Sequence, residues 1–327
     1  MQPPMNTLLE VEGLHVGFRT DNGRLDAVSD LSFSVAQGEC LGVVGESGSG
    51  KSQTFLAMLG LLAPNGSASG SARFDGRELL NAPASALNDL RGNRIAMIFQ
   101  DALSGLTPTM RIGEQMTEVL VAHRRMSGAD ARQRVLEVLQ IVRIPDAPER
   151  MRAYPFELSG GMRQRVMIGL AMLCNPQLLI ADEPTTALDV TVQSQVLKLL
   201  LGLKRHTRSG IVLITHDLAV VAGLSDRVMI MYAGRAVEIG PVRDIFARPR
   251  HPYTAGLLRS VPSLTHAPDE DLPTIPGQPP DLEQLPPGCP FAERCAHVIE
   301  RCLVERPALR PAGAGRTAAC HRFEELA

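Results

Sequence analysis

The chain contains no tryptophan, and Phe and Tyr bring its aromatic content to only 4%. Its core must therefore be filled by Leu, Ile, Val, Met and Ala, part of an apolar total of 44%. No apolar run reaches the roughly 18 residues that suggest a membrane-spanning helix. The opening MQPPMNTLLE lacks the charged-then-apolar order of a secretory signal. The expectation is a cytoplasmic chain whose contact with any membrane runs through a partner. An excess of charge is also missing: 33 Lys+Arg stand against 35 Asp+Glu, a net charge of −2. A general nucleic-acid coat needs a basic surface to neutralise phosphates, so the chain is a poor candidate for that class. With 21% charged residues over 327 positions, the composition is that of a globular protein of about two domains.

Up to about residue 240 the pattern alternates strands and helices. Leu41–Val44, Leu178–Ala181 and Ile211–Thr215 are apolar runs of strand length, and Ile95–Phe99 reads as another strand. Ser52–Leu62 and Thr191–Lys204 carry apolar residues at helical spacing. Such alternation predicts a mostly parallel sheet covered on both faces. From about Asp101 to Leu158 the pattern is mainly helical (Ile112–Arg124, Ala129–Val142), which reads as an inserted helical subdomain. After about Arg248 the composition changes: 11 of the 24 prolines lie between Pro262 and Pro311, and four of the six cysteines between Cys289 and Cys320. Proline at this density is expected to continue neither a sheet nor a long helix.

Two motifs carry chemistry. Gly45-Glu46-Ser47-Gly48-Ser49-Gly50-Lys51-Ser52 fits G-x-x-x-x-G-K-[ST], after a strand and before a helix. Glycines let successive N–H groups turn inward on phosphate oxygens, and the helix start adds partial positive charge. Lys51 supplies a point charge to the β- and γ-phosphates, and the Ser52 hydroxyl is a Mg²⁺ ligand. Leu178-Leu179-Ile180-Ala181-Asp182-Glu183 is a strand ending in two acids. That order predicts both carboxylates at the carboxyl edge of the sheet, Asp182 for Mg²⁺ and Glu183 as the base for the attacking water.

Leu158-Ser159-Gly160-Gly161-Met162-Arg163-Gln164-Arg165 resembles the signature motif of ATP-binding cassettes. Ser159 reads as an N-cap, with a helix running on through Cys174. The resemblance to the cassette family spans nearly the first 250 residues. Gln100 is similar to the family's glutamine loop, Ala187-Leu188-Asp189 to its dimer-interface loop, and His216 to its switch histidine. The residue-level alternatives are a surface turn for Gln100 and a locally satisfied histidine beside Asp217 for His216. Phe18 lies where the family stacks an aromatic on adenine, with a core position as the other reading; Thr20 departs from the tyrosine common there.

The resemblance implies an α/β fold: an ABC-type P-loop ATPase core over residues 1–248, with its helical subdomain at about 101–160. It implies ATP and Mg²⁺, held by Gly45, Ser47, Gly48, Gly50, Lys51, Ser52 and Gln53 on one side. Ser159, Gly160 and Gly161 serve the ATP of a second subunit. Ser52, Gln100 and Asp182 serve Mg²⁺, and Glu183, His216 and Gln100 act in hydrolysis. His251-Pro252-Tyr253-Thr254, Leu257-Leu258 and the run from Pro286 to Cys295 resemble the tail of ATPase subunits from oligopeptide and dipeptide importers. Residues 249–327 are then such a Cys/Pro-rich extension. The implied function is ATP-driven import of short peptides or related solutes. A second ABC subunit, identical or related, two permease subunits and, indirectly, a solute-binding protein are the implied partners, at the cytoplasmic face of the membrane. The competing classes are a soluble cassette ATPase acting on nucleic acid or ribosomes, and a redox-sensing regulator working through the tail.

Cys289, Cys295, Cys302 and Cys320 are separated by five, six and seventeen residues. Two structural disulfides are unusual in a cytosolic protein. The open readings are a [4Fe–4S] cluster, which tolerates wide spacing; zinc, which ordinarily takes a closer cysteine pair than any here; and free or disulfide-bonded thiols. His321 is a substitute ligand. Cys40 and Cys174 lie in apolar elements and read as small core residues. The tail is short of aromatics, so metal ligation is expected to organise it.

Overall fold

The computed structural model describes residues 7–21, 23–101, 105–185, 190–261, 273–313 and 315–326. Ala187-Leu188-Asp189 lies outside them. The chain divides into two compact units. One is built from Val35–Cys40 and Ala82–Ile214, and the other from Leu9–Ser34, Leu41–Asn81 and the chain from Thr215 onward.

In the first unit, strands Ile95–Ile98, Leu178–Asp182 and Gly210–Ile214 run parallel. Ile95 pairs with Leu178, and Asp182 pairs with Ile214. The latter two strands are buried at every position, which explains why they read as continuous apolar runs rather than alternating ones. Helices Ile112–Arg124, Gly128–Ile141, Ala147–Arg150 and Gly160–Met172 follow the first strand. Ile112, Met116 and Leu120 are buried at four-residue spacing, as are Ala131, Val135 and Leu139, so each helix turns one stripe inward. Ser127 caps the second of them through the Asp130 N–H. A further helix covers Val190–Thr207.

The second unit departs from the expected parallel alternation. Long strands Thr7–Thr20 and Gly23–Ala36 join Gly66–Phe74 and Arg77–Glu78 in a separate four-stranded sheet. Its central pairing is antiparallel, from Leu9 with Phe74 to Phe18 with Gly66. The Gly/Ser-rich sequence GSASGSARF hides this strand, because β propensity is weak where pairing partners supply the stability. Cys40–Val44 lies parallel to Arg227–Tyr232, which pairs antiparallel with Arg235–Pro241. The helix after the phosphate loop is shorter than its apolar pattern predicts. It spans Lys51–Met58 and stops at Gly60, which takes a left-handed conformation.

The tail also departs from expectation. Thr317–Ala318 pairs antiparallel with Glu238 and Ile239, and Arg310–Pro311 pairs on its other side. Proline is compatible with a strand at this edge. The tail has apolar anchorage as well: Phe291 is buried with Tyr232 and Tyr253 in one cluster with Val44, Val228 and Ile230. A buried ion pair joins Arg316 to Glu238 at 2.8 Å. These contacts correct the view that only a metal organises this segment.

Candidate functional site

The phosphate loop belongs to the second unit. The all-buried strand Cys40–Val44 delivers it and helix Lys51–Met58 receives it. Gly50 has φ +92°, and a Cβ there would run into the Ala27 carbonyl oxygen. A Cβ on Gly45 would likewise meet the carbonyl of Met231. Both positions demand glycine for space, and Gly50 for its backbone as well. The Lys51 ammonium donates to the carbonyl oxygens of Gly45 and Glu46, both at 2.8 Å, and to Ser49 Oγ at 3.3 Å. The loop is thereby curled around its own cation. Ser52 and Gln53 sit half-buried in the first turn of the helix, beyond the Ser47–Gly48 bend. His216 is exposed in the same unit. It follows Thr215, whose N–H donates to Val43 O at 3.1 Å, and precedes Asp217, which caps the next helix through the N–H groups of Ala219 and Val220.

The acidic strand end belongs to the first unit. Asp182 is 4% exposed and is the last residue of its strand. Glu183 follows with φ +46°, its N–H donating to Ile214 O at 2.9 Å. A left-handed backbone at a non-glycine residue costs about 1–2 kcal/mol, and such outliers concentrate at functional sites. Gln100 Nε2 donates to Glu183 Oε2 at 3.1 Å, so the glutamine and acid that the sequence separates by 83 positions are brought together.

The signature segment lies in the same unit. Ser159 is the N-cap of helix Gly160–Met172 and accepts the Met162 N–H at 3.3 Å, as its sequence position predicts. Ser159 and Gly160 are exposed, and a Cβ on Gly160 would meet nothing. Gly161 faces Val192. Buried Gln164 donates to the carbonyl of Pro184 at 2.9 Å, tying this helix to the residue after Glu183. The sequence shows Gln164 only as one letter of the signature segment, between Arg163 and Arg165, and nothing local marks its role. Phe18 lies beside Gly66 in the antiparallel sheet.

Neighbouring thiols disfavour the charged form at Cys289, Cys295 and Cys320, Cys302 acting on all three. Burial pushes the Cys289 thiol up to about 11 and raises Cys295 and Cys320 too. The N–H groups of His297 and Arg322 donate to the sulfurs of Cys295 and Cys320, both at 3.4 Å. Among the described residues, however, no group of three or more His, Cys, Asp or Glu side chains is arranged to hold a metal ion. The expectation of a zinc or [4Fe–4S] site thus gains no support from the arrangement of ligands, and His321 instead contacts the Glu305 carbonyl.

Comparison with known proteins places these features. The sequence matches the ABC transporter family over residues 28–186 and the family described as oligopeptide/dipeptide transporter, C-terminal region, over residues 237–302. It is 55% identical to the oligopeptide transport ATP-binding protein OppD of Salmonella typhimurium, across 99% of this chain and 96% of that one. The chain belongs to the ABC transporter family. To the oligopeptide transport ATP-binding protein AppD of Bacillus subtilis it is 46% identical, over 98% of each chain. The fold of this ABC subunit is similar to that of a dimeric cassette, MJ0796, bound to ADP and Pi, with a TM-score of 0.65 and 26% identity over 72% of this chain and 99% of that one. The chain is accordingly an ATP-binding subunit with ATPase activity coupled to transport. Neither a nucleic-acid or ribosome ATPase nor a redox regulator is favoured. Among the described residues no helix is long and apolar enough to cross a membrane.

Proposed function

We propose that this subunit powers uptake of short peptides through an ABC importer by ATP-driven closure of two cassettes. The observation that carries the reading is the exposed start of helix Gly160–Met172. It presents Ser159 and the open Gly160 at a helix N-terminus, on a chain that already has a complete phosphate loop. A helix start suits anion binding, and a second phosphate site serves the ATP carried by another subunit. Two cassettes, identical or paralogous, then pair head to tail. Residues 1–248 form the ATPase domain, helices within about 101–160 its inserted subdomain, and 249–327 the extension. Two permease subunits receive the motion at the cytoplasmic face of the membrane, and a solute-binding protein supplies peptide. The names of the similar OppD and AppD chains support the peptide class.

Within the site, Gly45, Ser47, Gly48, Gly50, Ser52 and Gln53 line the triphosphate. Lys51 exchanges its loop carbonyls for phosphate oxygens. Ser52, Gln100 and Asp182 offer the hard oxygen donors that Mg²⁺ takes, and the buried position of Asp182 suits a carboxylate facing a cation. Mg²⁺ supplies neutralisation of charge on the β- and γ-phosphates when bound. Glu183 orients the attacking water and accepts its proton, Gln100 holds that carboxylate in place, and His216 contacts the γ-phosphate side. The test is reconstitution with the neighbouring permease subunits in vesicles. Peptide-loaded binding protein should stimulate ATPase and peptide uptake together; stimulation by nucleic acid instead would refute the assignment.

For Cys289, Cys295, Cys302 and Cys320 we infer ligation of a [4Fe–4S] cluster in preference to zinc. The support is in the sequence alone: four cysteines fall between Cys289 and Cys320 at spacings wider than the close pair zinc ordinarily takes, and the arrangement of ligands among the described residues adds nothing to it. Such a cluster would supply a covalent cross-link within the tail. Metal analysis of anaerobically prepared protein decides it: about four irons per chain is expected, one zinc favours the other metal, and no metal refutes both.

A further inference from the structure

Two residues of the C-terminal extension end on the phosphate loop. The Glu46 N–H donates to Tyr253 Oη at 2.9 Å, across 207 positions. Arg294, 248 positions away, makes a two-pronged ion pair with the same residue: Nη1 to Oε2 at 2.8 Å and Nη2 to Oε1 at 3.0 Å. Its side chain is only 6% exposed, against 26% for Glu46. The guanidinium is fixed from other sides as well. Nη1 donates to Tyr232 Oη at 3.2 Å, Nε donates to Pro276 O at 2.9 Å, and the group lies near the Tyr232 and Phe291 rings. Tyr253 is buried, its ring 4.6 Å from that of Tyr232. Meanwhile the Glu46 carbonyl accepts from Lys51 Nζ at 2.8 Å and from the Ser49 N–H at 3.2 Å. The side chain, N–H and carbonyl of one loop residue are thus each tied down.

Two physical consequences follow. A loop that binds phosphate through preset N–H groups loses affinity if it must be ordered on binding. A carboxylate inside such a loop also repels the triphosphate unless its charge is cancelled. The forked guanidinium answers both, because it is planar, permanently charged and held in place.

We propose that Arg294 and Tyr253 are positioning residues for ATP binding: through Glu46 the extension braces the phosphate loop of its own chain and neutralises the one carboxylate in it. This rests on the phosphate-loop reading above. The experiment is equilibrium titration of the full chain with ATP, together with steady-state ATPase. Arg294→Ala should weaken ATP binding about tenfold, with KM rising in proportion and kcat at saturating ATP falling by less. Arg294→Lys, which restores charge without the fork, should recover part of the loss.

Glu46→Gln added to Arg294→Ala should return affinity to within about threefold of wild type, because no uncompensated carboxylate remains. A purely structural anchor predicts the opposite, a double variant no better than the single. The Arg294→Ala penalty should also shrink in high salt. If Arg294→Ala fails to fold, Tyr253→Phe removes one oxygen and should weaken ATP about threefold. Wild-type affinity in a folded Arg294→Ala chain, or in Tyr253→Phe where that one stands in, overturns the proposal, as does a double variant without recovery. Lys51→Ala run alongside separates the two levels: if it too leaves ATP binding intact, the phosphate-loop reading itself fails.

Discussion

Gln100 and Glu183 meet through a single hydrogen bond of 3.1 Å, amide to carboxylate, at the carboxyl ends of neighbouring parallel strands. The amide donor thereby fixes the orientation of the carboxylate. Replacing Glu183 by Gln keeps the shape and removes the proton acceptor. Hydrolysis should drop by about 10²–10⁴-fold while ATP titrates as in wild type, and an ATP-bound dimer should accumulate on size exclusion. Turnover within a few-fold of wild type would remove Glu183 from the reaction.

Lys51 is the cation around which the loop curls. Lys51→Ala should weaken ATP binding by at least about tenfold, since charge-assisted contacts to the β- and γ-phosphates vanish. Calorimetric titration is the direct check, and an unchanged Kd would contradict the role given to this residue.

Ser159 belongs to the site of the other subunit if cassettes pair head to tail. Chains carrying Ser159→Arg and chains carrying Lys51→Ala should each be nearly inactive. Mixed, they should regain activity from the one composite site that has an intact loop and an intact helix start. If the natural partner is a paralogue, that chain carries one of the two substitutions. No recovery in any mixture would count against the head-to-tail arrangement.

His251 caps helix Pro252–Arg259 by accepting the Tyr253 N–H on Nδ1, at 3.1 Å, and must be neutral at that atom to do so. Burial pushes its pKa down to about 3 from the ordinary 6.5. Glu238, which accepts the His251 N–H, is already paired with Arg316. Above about pH 6.5 the imidazole is neutral in both folded and unfolded chains, so its protonation costs nothing. As pH falls from 6.5 towards 3 the unfolded chain takes a proton that the folded chain refuses, and stability declines by up to about 1.4 kcal/mol per pH unit. Urea midpoints between pH 7.5 and 4.5 should show that slope. His251→Asn, which keeps a cap acceptor without a titrating ring, should flatten it. Equal slopes in the two proteins would reject the assignment.

What the sequence made legible was local. The Gly45–Ser52 loop, the Asp182-Glu183 strand end and the Ser159 cap are each decided by a few consecutive residues, and each stands where its motif places it. Pairings over long separations were invisible. Leu9 with Phe74, Ile239 with Thr317, and Glu46 with Arg294 depend on which segments the chain brings back together. No local period encodes that choice. The tail was hardest to read, because its prolines and cysteines point to a metal-organised extension outside the sheet, whereas its scattered Tyr253, Phe291 and Arg294 carry the packing. Gln164 was hidden for a different reason: its task, holding the Pro184 carbonyl, lies in another motif.

Residues Thr317 and Ala318 cover the hydrogen-bonding side of Glu238 and Ile239 that faces away from Arg227–Tyr232. Cutting the protein at its apparent compositional border would therefore strip a guard strand from an otherwise adhesive edge. A fragment ending near Arg248 should be soluble only at low concentration and self-associate through that uncovered strand. It would also lose the Arg316 guanidinium and the Arg250 and His251 N–H groups that hold the Glu238 carboxylate.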